Sequence, residues 1–527
     1  MNRMECDALV IGGGIGGLTS AIFLAKHGKD VILLNRASDP HESNTRYAQG
    51  GIIARGINDS PELLAHDIDV AGDEFGSRKA IRILAEEIGP LVESFLIKEV
   101  GVPFDTDTHG SIDFALEAAH SKPRIPHVGV HTGEVIMEKL VERARSYPHI
   151  TVLTDHTAVD LISSSHHAWK GRGTDEPLIL GAYVLDRANK TIIAICAQYT
   201  ILATGGVGAL YRYTTNPDGA RGDGIAMAYR AGAYVSDMRY VQFHPTAFRK
   251  EGRKTFLISE AMRGKGAILL DRPSGRRFLK DYPLEKLELA PRDELARAIR
   301  SEMLRQNLPC VYLDMRPIVK RGLVIDPEML NACLACGVDP SSDPVPVAPA
   351  AHFLCGGVNV DEWGRTRPRL RRLRAVGEVS RTGVHGGNRL ASVSLAEALV
   401  WGKRAAENIC GTFERQNLNE WDIPDWDESD VLYDTHPDLA PYYERLRDIM
   451  WFNVGIVRSR QGLREARQRL WEMSREVELI YEDSRLTDEL IGLRHAITAA
   501  ILVVRDALGH RESRGCHFRE DEKGGVA

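Results

Sequence analysis

The stretch "ALVIGGGIGGLTSAIFLAKHGKDVILLNR", Ala8 to Arg36, narrows the possible folds more than any other part of this chain. An apolar strand pattern runs into Gly12-x-Gly14-x-x-Gly17, then into a helix pattern that Gly28 terminates, then into a second apolar strand. The first glycine of such a turn permits a tight reversal. The second lets a pyrophosphate approach the backbone, and the third lets the helix pack against the strand. The helix N-terminus adds free N–H groups and the positive end of its dipole. The unit predicts an α/β sheet that binds a dinucleotide through Gly12, Gly13, Gly14, Ile15, Gly16 and Gly17. The acid that commonly ends the second strand and holds a ribose hydroxyl is absent, because Asn35 and Arg36 stand there. Asn35 still suits a sugar, whereas Arg36 suits a phosphate or an adenine edge, which argues against a typical NAD site.

Two later stretches turn the expectation towards a flavin. "SNTRYAQGGI", Ser43 to Ile52, offers polar side chains and then Gly50-Gly51, where backbone can lie against a planar ring. "CAQYTILATGGVG", Cys196 to Gly208, is a strand running into Ala-Thr-Gly-Gly, placed to return to the first sheet after a long insertion.

A chain of 527 residues is too long for one ordinary core and implies two or three domains. Residues 1–235 alternate strand and helix patterns, with the polar break "SSSHHAWKGRGTDEP" reading as a hairpin loop. Residues 236–351 change to short strands, a helix "PRDELARAIRSEML" and the Pro-rich "SSDPVPVAPAAHF". A glycine-rich strand–loop–helix pattern returns over 352–420, and from 421 to 527 apolar residues recur at three and four, as in bundle helices. The predicted fold class is therefore α/β: a discontinuous Rossmann-like FAD-binding domain (1–235 and 352–420) with an inserted α+β capping domain (236–351) and a C-terminal helical bundle domain (421–527).

Composition excludes several classes. A net charge of -6 gives no reason to expect a nucleic-acid partner. No apolar run approaches the roughly 20 residues that cross a bilayer, and the first strand begins too early for a signal peptide ahead of it. No membrane association and a cytoplasmic location are expected. Eight cysteines do not make a disulfide framework. The one close pair, Cys333 and Cys336 in "CLAC", lies in a helix pattern without a second pair, so it reads as two buried thiols and no metal site is expected.

Nine ordered motifs now carry a resemblance over nearly the whole length: "GGGIGGL", "AQGG", "ATGG", "GDGIAMA", "QFHPT", "ISEAMRG", "APRDELARAI", "AVGEVSRTGVHGGNRLASVSL" and "RESRGCHFRED". With these the chain resembles the fumarate reductase, succinate dehydrogenase and L-aspartate oxidase family of flavoproteins. In its membrane-linked dehydrogenases a histidine five residues before the glutamine of "AQGG" bonds covalently to the flavin. Gln49 puts that position at Asn44, which cannot form the link, so the resemblance implies non-covalent FAD. By motif match its site includes Gly13, Gly14, Ile15, Gly16 and Arg36, then Asn44, Thr45, Arg46, Tyr47, Ala48, Gln49, Gly50 and Gly51. Asp223 of "GDG", Glu378 of "GEV", where a carboxylate would hold sugar or ribityl hydroxyls, and Ser394 with Leu395 complete it. Val393 stands where the family usually has Asn, removing whatever hydrogen bonds that amide made.

His244 follows Gln242 and precedes Pro245, which points to an imidazole where a strand stops. Arg292 follows Pro291 and precedes two acids, the pattern of a helix first turn. His352 follows "PVPVAPAA", and Arg389 sits in the glycine loop "HGGNRLAS". Arginines are rarely buried without an anion, so a site built from these groups wants carboxylates. The resemblance implies that they grip a four-carbon dicarboxylate beside the flavin. His244 and Ser259 would hold one carboxylate, with Gln242 beside them, and His352 and Arg389 the other. Arg292 is the family's proposed proton carrier, although arginine almost never deprotonates.

One stretch separates the possible reactions. "FALEAAHSKPRIPH", Phe114 to His127, carries Glu117 followed by "HS", the aspartate oxidase pattern, where the fumarate and succinate enzymes have a Gly-Gly-Gln-Ser type stretch. A carboxylate there suits an ammonium group and repels a third negative charge. The resemblance thus implies oxidation of L-aspartate to iminoaspartate by hydride transfer to flavin N5. Electrons would pass to dioxygen, giving hydrogen peroxide, or to fumarate, giving succinate. The imine would go to quinolinate synthase in the first step of de novo NAD biosynthesis. The alternatives are a soluble fumarate reductase-type flavoprotein fed by an external donor, a membrane-docked dehydrogenase subunit, and a non-catalytic or nucleic-acid-modifying FAD protein.

Overall fold

The computed structural model describes residues 3–117, 119–166, 176–367 and 370–521. Strand Arg3–Ile11 enters the glycine turn, emerges as helix Ile15–Lys26 and continues into strand Val31–Leu34. Every residue of that helix from Ile15 to Ala25 is buried, so it needs cover on both faces. The sheet covers one face. The other is covered by helix Val393–Gly411, from nearly 400 residues later. Ser20 Oγ lies 2.8 Å from Gly16 O and 3.2 Å from Gly402 O, donating between the two helices. A Cβ on Gly402 would stand 2.8 Å from Gly16 O, so a larger residue there forces the helices apart. Fully buried side chains such as Leu18 and Ile22 contribute about 1.5–3 kcal/mol each to this packing.

The sheet runs in the spatial order Ile150–Leu153, Val31–Leu34, Arg3–Ile11, Thr191–Leu202, Ile179–Asp186, His156–Ser163. The first four strands are parallel and the last two pair antiparallel. Thr191–Leu202 is long enough to serve two partners. Its first half pairs with Ile179–Asp186, and its end takes Leu373–Ala375 in parallel, with Ala375 opposite Leu202. The returning segment therefore closes the nucleotide sheet at its carboxyl edge. The predicted hairpin joins His156–Ser163 to Ile179–Asp186, and the centre of its loop, residues 167–175, lies outside the described residues.

The inserted part is a four-stranded antiparallel sheet in the order Val241–Phe248, Val345–Leu354, Val311–Asp314, Ile268–Leu270, covered by helix Arg292–Arg305. Here one expectation needs correction. The strand does not stop at His244 but runs through Pro245 to Phe248. The ladder absorbs the missing N–H through a register shift between His244 and Ala247, as bulges do where a proline interrupts pairing. The irregularity turns the His244 imidazole out of the ladder, and His352 sits on the neighbouring strand. Cys333 is buried in this part's core on helix Pro327–Ala335, and burial pushes its thiol up to about 12.

The C-terminal part contains helices Ala440–Asn453, Arg460–Asp483 and Asp488–Gly509. Arg460–Asp483 buries Leu463, Ala466, Leu470, Met473 and Val477, alternating steps of three and four that keep one face inward. Ser459 and Thr487 cap the last two helices, accepting from Gly462 N and Leu490 N.

Candidate active site

Ile11, Leu34 and Leu202 end three parallel strands side by side. A cavity of about 420 Å³ opens at this edge and extends to His244 and His352 on the inserted sheet, Arg292 at the start of its covering helix, and Arg389 on the returning loop. That is the size of an ordinary small-molecule site, at the place where open α/β sheets bind ligands.

The sheet end of the cavity fits a flavin dinucleotide. Gly12 has φ +115°, and a Cβ there would lie 2.2 Å from Ala203 O, so only glycine allows the turn. Gly13, Gly14, Ile15 and Gly16 line the cavity, whereas Gly17 packs behind them, where a Cβ would meet Gly12 O at 1.9 Å. The helix N-terminus faces the cleft, and Thr45 Oγ1 accepts from Ile15 N at 3.2 Å. Of the next segment, Asn44, Thr45, Tyr47, Ala48, Gln49, Gly50 and Gly51 line the cavity. Arg46 turns away and pairs with Asp39 and Glu134 at 2.9 and 3.1 Å. Asn44, in the place of the covalent histidine, donates to Glu378 Oε2 at 3.4 Å and accepts from Asn216 Nδ2 at 3.3 Å. Glu378 also accepts from Leu354 N at 2.8 Å, and burial raises its carboxyl to about 7. Ser394 and Leu395, in the first turn of helix Val393–Gly411, line the cavity too, and Val393 is buried among apolar side chains.

At the far end Arg36 lines the cavity but spends one nitrogen on Asp488, 2.9 Å away at the start of the last helix. Asp223 also lines it, bonded by Arg221 at 3.0 Å. Burial works to raise the Asp223 carboxyl, but Arg221 and His495 override it and hold the group well below the usual carboxylate range.

The other end carries a buried cation, Arg389, that no carboxylate matches among the described residues. Arg389 is 5% exposed. It donates to Ser394 Oγ at 3.1 Å and lies over the Phe353 ring at 4.8 Å, while its Nε has no partner. Among the described residues no carboxylate pairs with it. Burial, and then Arg292, push its guanidinium down to about 10. His244 and His352 meet edge-on, their rings 5.3 Å apart. His244 Nδ1 lies 3.2 Å from Thr246 O and 3.3 Å from Thr246 N, so Thr246 serves either tautomer, and Nε2 carries the proton when Nδ1 accepts from Thr246 N. His352 Nδ1 meets Thr215 Oγ1 at 2.7 Å. Burial and the nearby arginines hold both imidazoles well below their ordinary value, so both are neutral donors.

Arg292 opens its helix as expected, and its Nε donates to Glu260 Oε2 at 2.9 Å. Glu260 is buried, with fully buried Arg263 at 3.5 Å on its other side. Burial raises the Glu260 carboxyl, and the two arginines overcome that and keep it ionised. Ser259 caps the short helix Glu260–Gly264 by accepting from Ala261 N at 3.3 Å, which leaves its hydroxyl proton for the cavity. Gln242 does not line the cavity. Its Nε2 donates to Asn388 Oδ1 and Arg389 O at 2.6 and 2.8 Å, and its Oε1 accepts from Arg292 Nη1 at 3.3 Å.

Glu117 rides on the turn between strands Phe114–Ala115 and Ile125–Pro126, and it lines the cavity where a Cβ on Gly50 would come within 2.3 Å of it. It accepts from Ser392 Oγ at 2.7 Å. Burial and Glu260 raise its carboxyl, against the pull of Ser392, Arg292 and Arg389. The turn is anchored by buried Arg124, which bonds Asp59 at 2.8 Å and also reaches Asp67. Sequence reasoning missed Glu260, Ser392 and Asn388. Each lies inside a quoted motif one or two residues from a residue that was chosen, and only the fold shows which way it points.

Residues 7–395 match the family profile described as the FAD binding domain, and residues 443–524 match the fumarate reductase flavoprotein C-terminus. L-aspartate oxidase 1 of Ralstonia nicotianae is 41% identical over 526 residues, covering 98% of this chain and 96% of that protein. The L-aspartate oxidase of Halobacterium salinarum is 42% identical over 527 residues with the same coverage, 98% and 96%. Among solved structures, E. coli quinol fumarate reductase matches with a TM-score of 0.86 at 28% identity, covering 99% of this chain and 92% of that one.

Proposed function

The chain belongs to the L-aspartate oxidase branch of the fumarate reductase and succinate dehydrogenase flavoproteins, and we propose that the residues around its cavity oxidise L-aspartate to iminoaspartate with FAD held non-covalently. FAD, when bound, supplies the acceptor for the hydride that leaves C2. Asn44 stands where a covalent link would need a histidine, which supports a dissociable cofactor.

The observation that carries the reading is Arg389, a buried guanidinium with no carboxylate partner among the described residues. Such a group is costly until an anion arrives, and each charge-assisted contact to a substrate carboxylate contributes about 1.5–3 kcal/mol. Arg389 and His352 hold one carboxylate, and His244 and Ser259 hold the other. Neutral imidazoles suit this job, because they donate a hydrogen bond without adding repulsion between neighbouring cations. Glu117 faces the ammonium group, and burial and Glu260, which raise its carboxyl, favour its taking the proton that the nitrogen must lose as C2 is oxidised. It also disfavours a substrate with a third negative charge.

When fumarate is the acceptor, one carbon must receive a proton. Arg292 is the group placed to deliver it, with Glu260 on its Nε and Arg263 behind. The ionised Glu260 carboxylate holds the Arg292 guanidinium in place and has no proton of its own to give, so the proton that Arg292 delivers is replaced from solvent. The same proposal extends to dioxygen or fumarate as electron acceptor, giving hydrogen peroxide or succinate. It includes consumption of the imine by quinolinate synthase in de novo NAD biosynthesis, and a cytoplasmic location. No helix among the described residues is long and apolar enough to cross a membrane.

A second reading, a fumarate reductase fed by an external donor, is favoured by the same clamp, which would hold fumarate equally well. Steady-state assays separate the two. Peroxide or succinate formed at the expense of L-aspartate supports the oxidase. Fumarate reduction by reduced viologen with no aspartate turnover selects the second reading.

A further inference from the structure

The terminal motif "RESRGCHFRED" has no part in the chemistry above, yet it lies directly behind the two arginines. Asn388 Oδ1 accepts from Gln242 Nε2 at 2.6 Å and from the Cys516 thiol at 3.3 Å, and Asn388 Nδ2 donates to Asp293 Oδ1 at 3.1 Å. Asp293 Oδ2 accepts from Arg297 Nη1 at 2.9 Å. The same Arg297 nitrogen donates to Gly515 O at 3.0 Å, one residue before Cys516. The hydrogen bonds thus close a ring through Cys516, Asn388, Asp293, Arg297 and Gly515. Gln242 ties the ring to the carbonyl of Arg389 and to the guanidinium of Arg292.

Three parts of the chain meet in this ring: the helix that begins at Arg292, the loop that carries Arg389, and the C-terminal segment. The last two touch backbone to backbone. Cys516 N donates to Gly387 O at 2.9 Å, and Gly387 N donates to Gly72 O at 2.8 Å, so the loop is held from both sides. Gly515 has φ +48°, and a Cβ there would lie 2.4 Å from Gly387 O. The segment is itself anchored by fully buried Arg458, which donates to Arg239 O at 2.7 Å and contacts His517 Nδ1 at 2.8 Å. Burial pushes the Cys516 thiol well above its ordinary value, so it stays protonated and serves as the donor.

We propose that the C-terminal segment from Ser513 to Arg519 is a positioning element of the active site, which through Cys516, Asn388 and Asp293 sets Arg292 and Arg389 at the separation the substrate needs. This rests on the aspartate reaction proposed above. Cys516, Asn388, Asp293 and Arg297 do not line the cavity, so the ring acts through the arginines and not by touching substrate. Misplacing a reacting or orienting group by about 1 Å costs on the order of 100-fold in rate, so even a partial release of this ring is measurable.

The test uses the full-length holoenzyme, with rates expressed per bound flavin. Cys516→Ala is expected to lower kcat with L-aspartate about tenfold and to weaken succinate binding several-fold, because both arginines shift, while FAD content and Tm stay near those of the parent protein. Cys516→Ser, which restores a donor, recovers most of that loss. Asn388→Ala loses more, and combining it with Cys516→Ala adds nothing further, because the ring is already open. If Asn388→Ala does not fold, Arg297→Met opens the ring from the other side and is expected to act likewise. Unchanged kcat in the single variants, or a serine variant no better than the alanine one, would overturn the inference. A parent protein without aspartate turnover would instead overturn the proposed function, and the same variants are then read on fumarate reduction by reduced viologen.

Discussion

Replacing Arg389 with methionine should weaken dicarboxylate binding and, in the same molecule, leave the substrate-free protein more stable. The guanidinium is buried, its Nε lacks a partner, and burial beside Arg292 pushes it from its ordinary value down to about 10. At about 1.4 kcal/mol per pKa unit, holding this charge in the empty site costs roughly 3 kcal/mol. A substrate carboxylate recovers much of that cost by accepting a charge-assisted bond from the guanidinium, which sets the expected loss in the variant at about 1.5–3 kcal/mol. That corresponds to roughly a 10- to 150-fold rise in the Kd for succinate and in the KM for L-aspartate. Methionine fills similar volume without a charge, and replacing an uncompensated buried ion by an apolar side chain is commonly neutral or stabilising. Flavin absorbance titrated with succinate measures the first effect, and thermal unfolding of the substrate-free holoenzyme measures the second. A succinate Kd within twofold of the parent value, or a marked fall in Tm, would refute the argument that Arg389 is an anion receptor held at a cost.

Four further outcomes follow from the same geometry. Glu117→Gln should lower kcat/KM for L-aspartate about 10- to 100-fold and fumarate reduction far less; equal losses in the two assays would leave Glu117 without a role in amine recognition. Gly12→Ala, which sets a Cβ 2.2 Å from Ala203 O at φ +115°, should weaken FAD binding at least about tenfold, read by flavin fluorescence, and full FAD occupancy would contradict the cradle. Glu378 has a folded value near 7 against 4.5 unfolded, so its neutral form favours the fold, completely below about pH 4.5 and progressively less as pH rises through 7. FAD-free protein should therefore lose stability between pH 5 and 8 by up to about 3 kcal/mol more than Glu378→Gln does, and parallel pH–Tm curves would remove that assignment. Because Asn44 cannot bond to the flavin, acid-denatured protein should release all of its FAD, and flavin fluorescence on the polypeptide in a denaturing gel would contradict this.

The nucleotide end was legible in the sequence because its determinants are local. Gly12 to Gly17 lie between a strand and a helix, and the geometry of that turn follows from a few adjacent residues. The helix beginning at Arg292 and the three C-terminal helices were legible for the same reason, through proline-then-acid and three-four spacing. The site was legible only as a set of residue types. Gln242 reads as a substrate ligand beside His244, yet its amide is consumed by Asn388 and Arg389, partners almost 150 residues away. Arg46 sits amid cavity-lining residues but pairs outward with Asp39 and Glu134, because successive residues of a three-residue helical turn point about 120° apart and one of them faces away from the cavity. The strand through Pro245 shows that a local rule can be overridden when a bulge absorbs the missing donor. Of the ring joining residues 293, 297, 388 and 516, only the i,i+4 pair Asp293–Arg297 shows in the spacing, since the other members come from two further parts of the chain.

The central claim is that a carboxylate clamp and Glu117 present L-aspartate to the flavin for oxidation at C2. Anaerobic mixing of the FAD-loaded protein with L-aspartate or with succinate, followed at the flavin absorbance band, tests it most directly. L-aspartate is expected to bleach the flavin rapidly and completely, and succinate at the same concentration to bleach it little or not at all. Bleaching by succinate alone, or by neither compound, would contradict it.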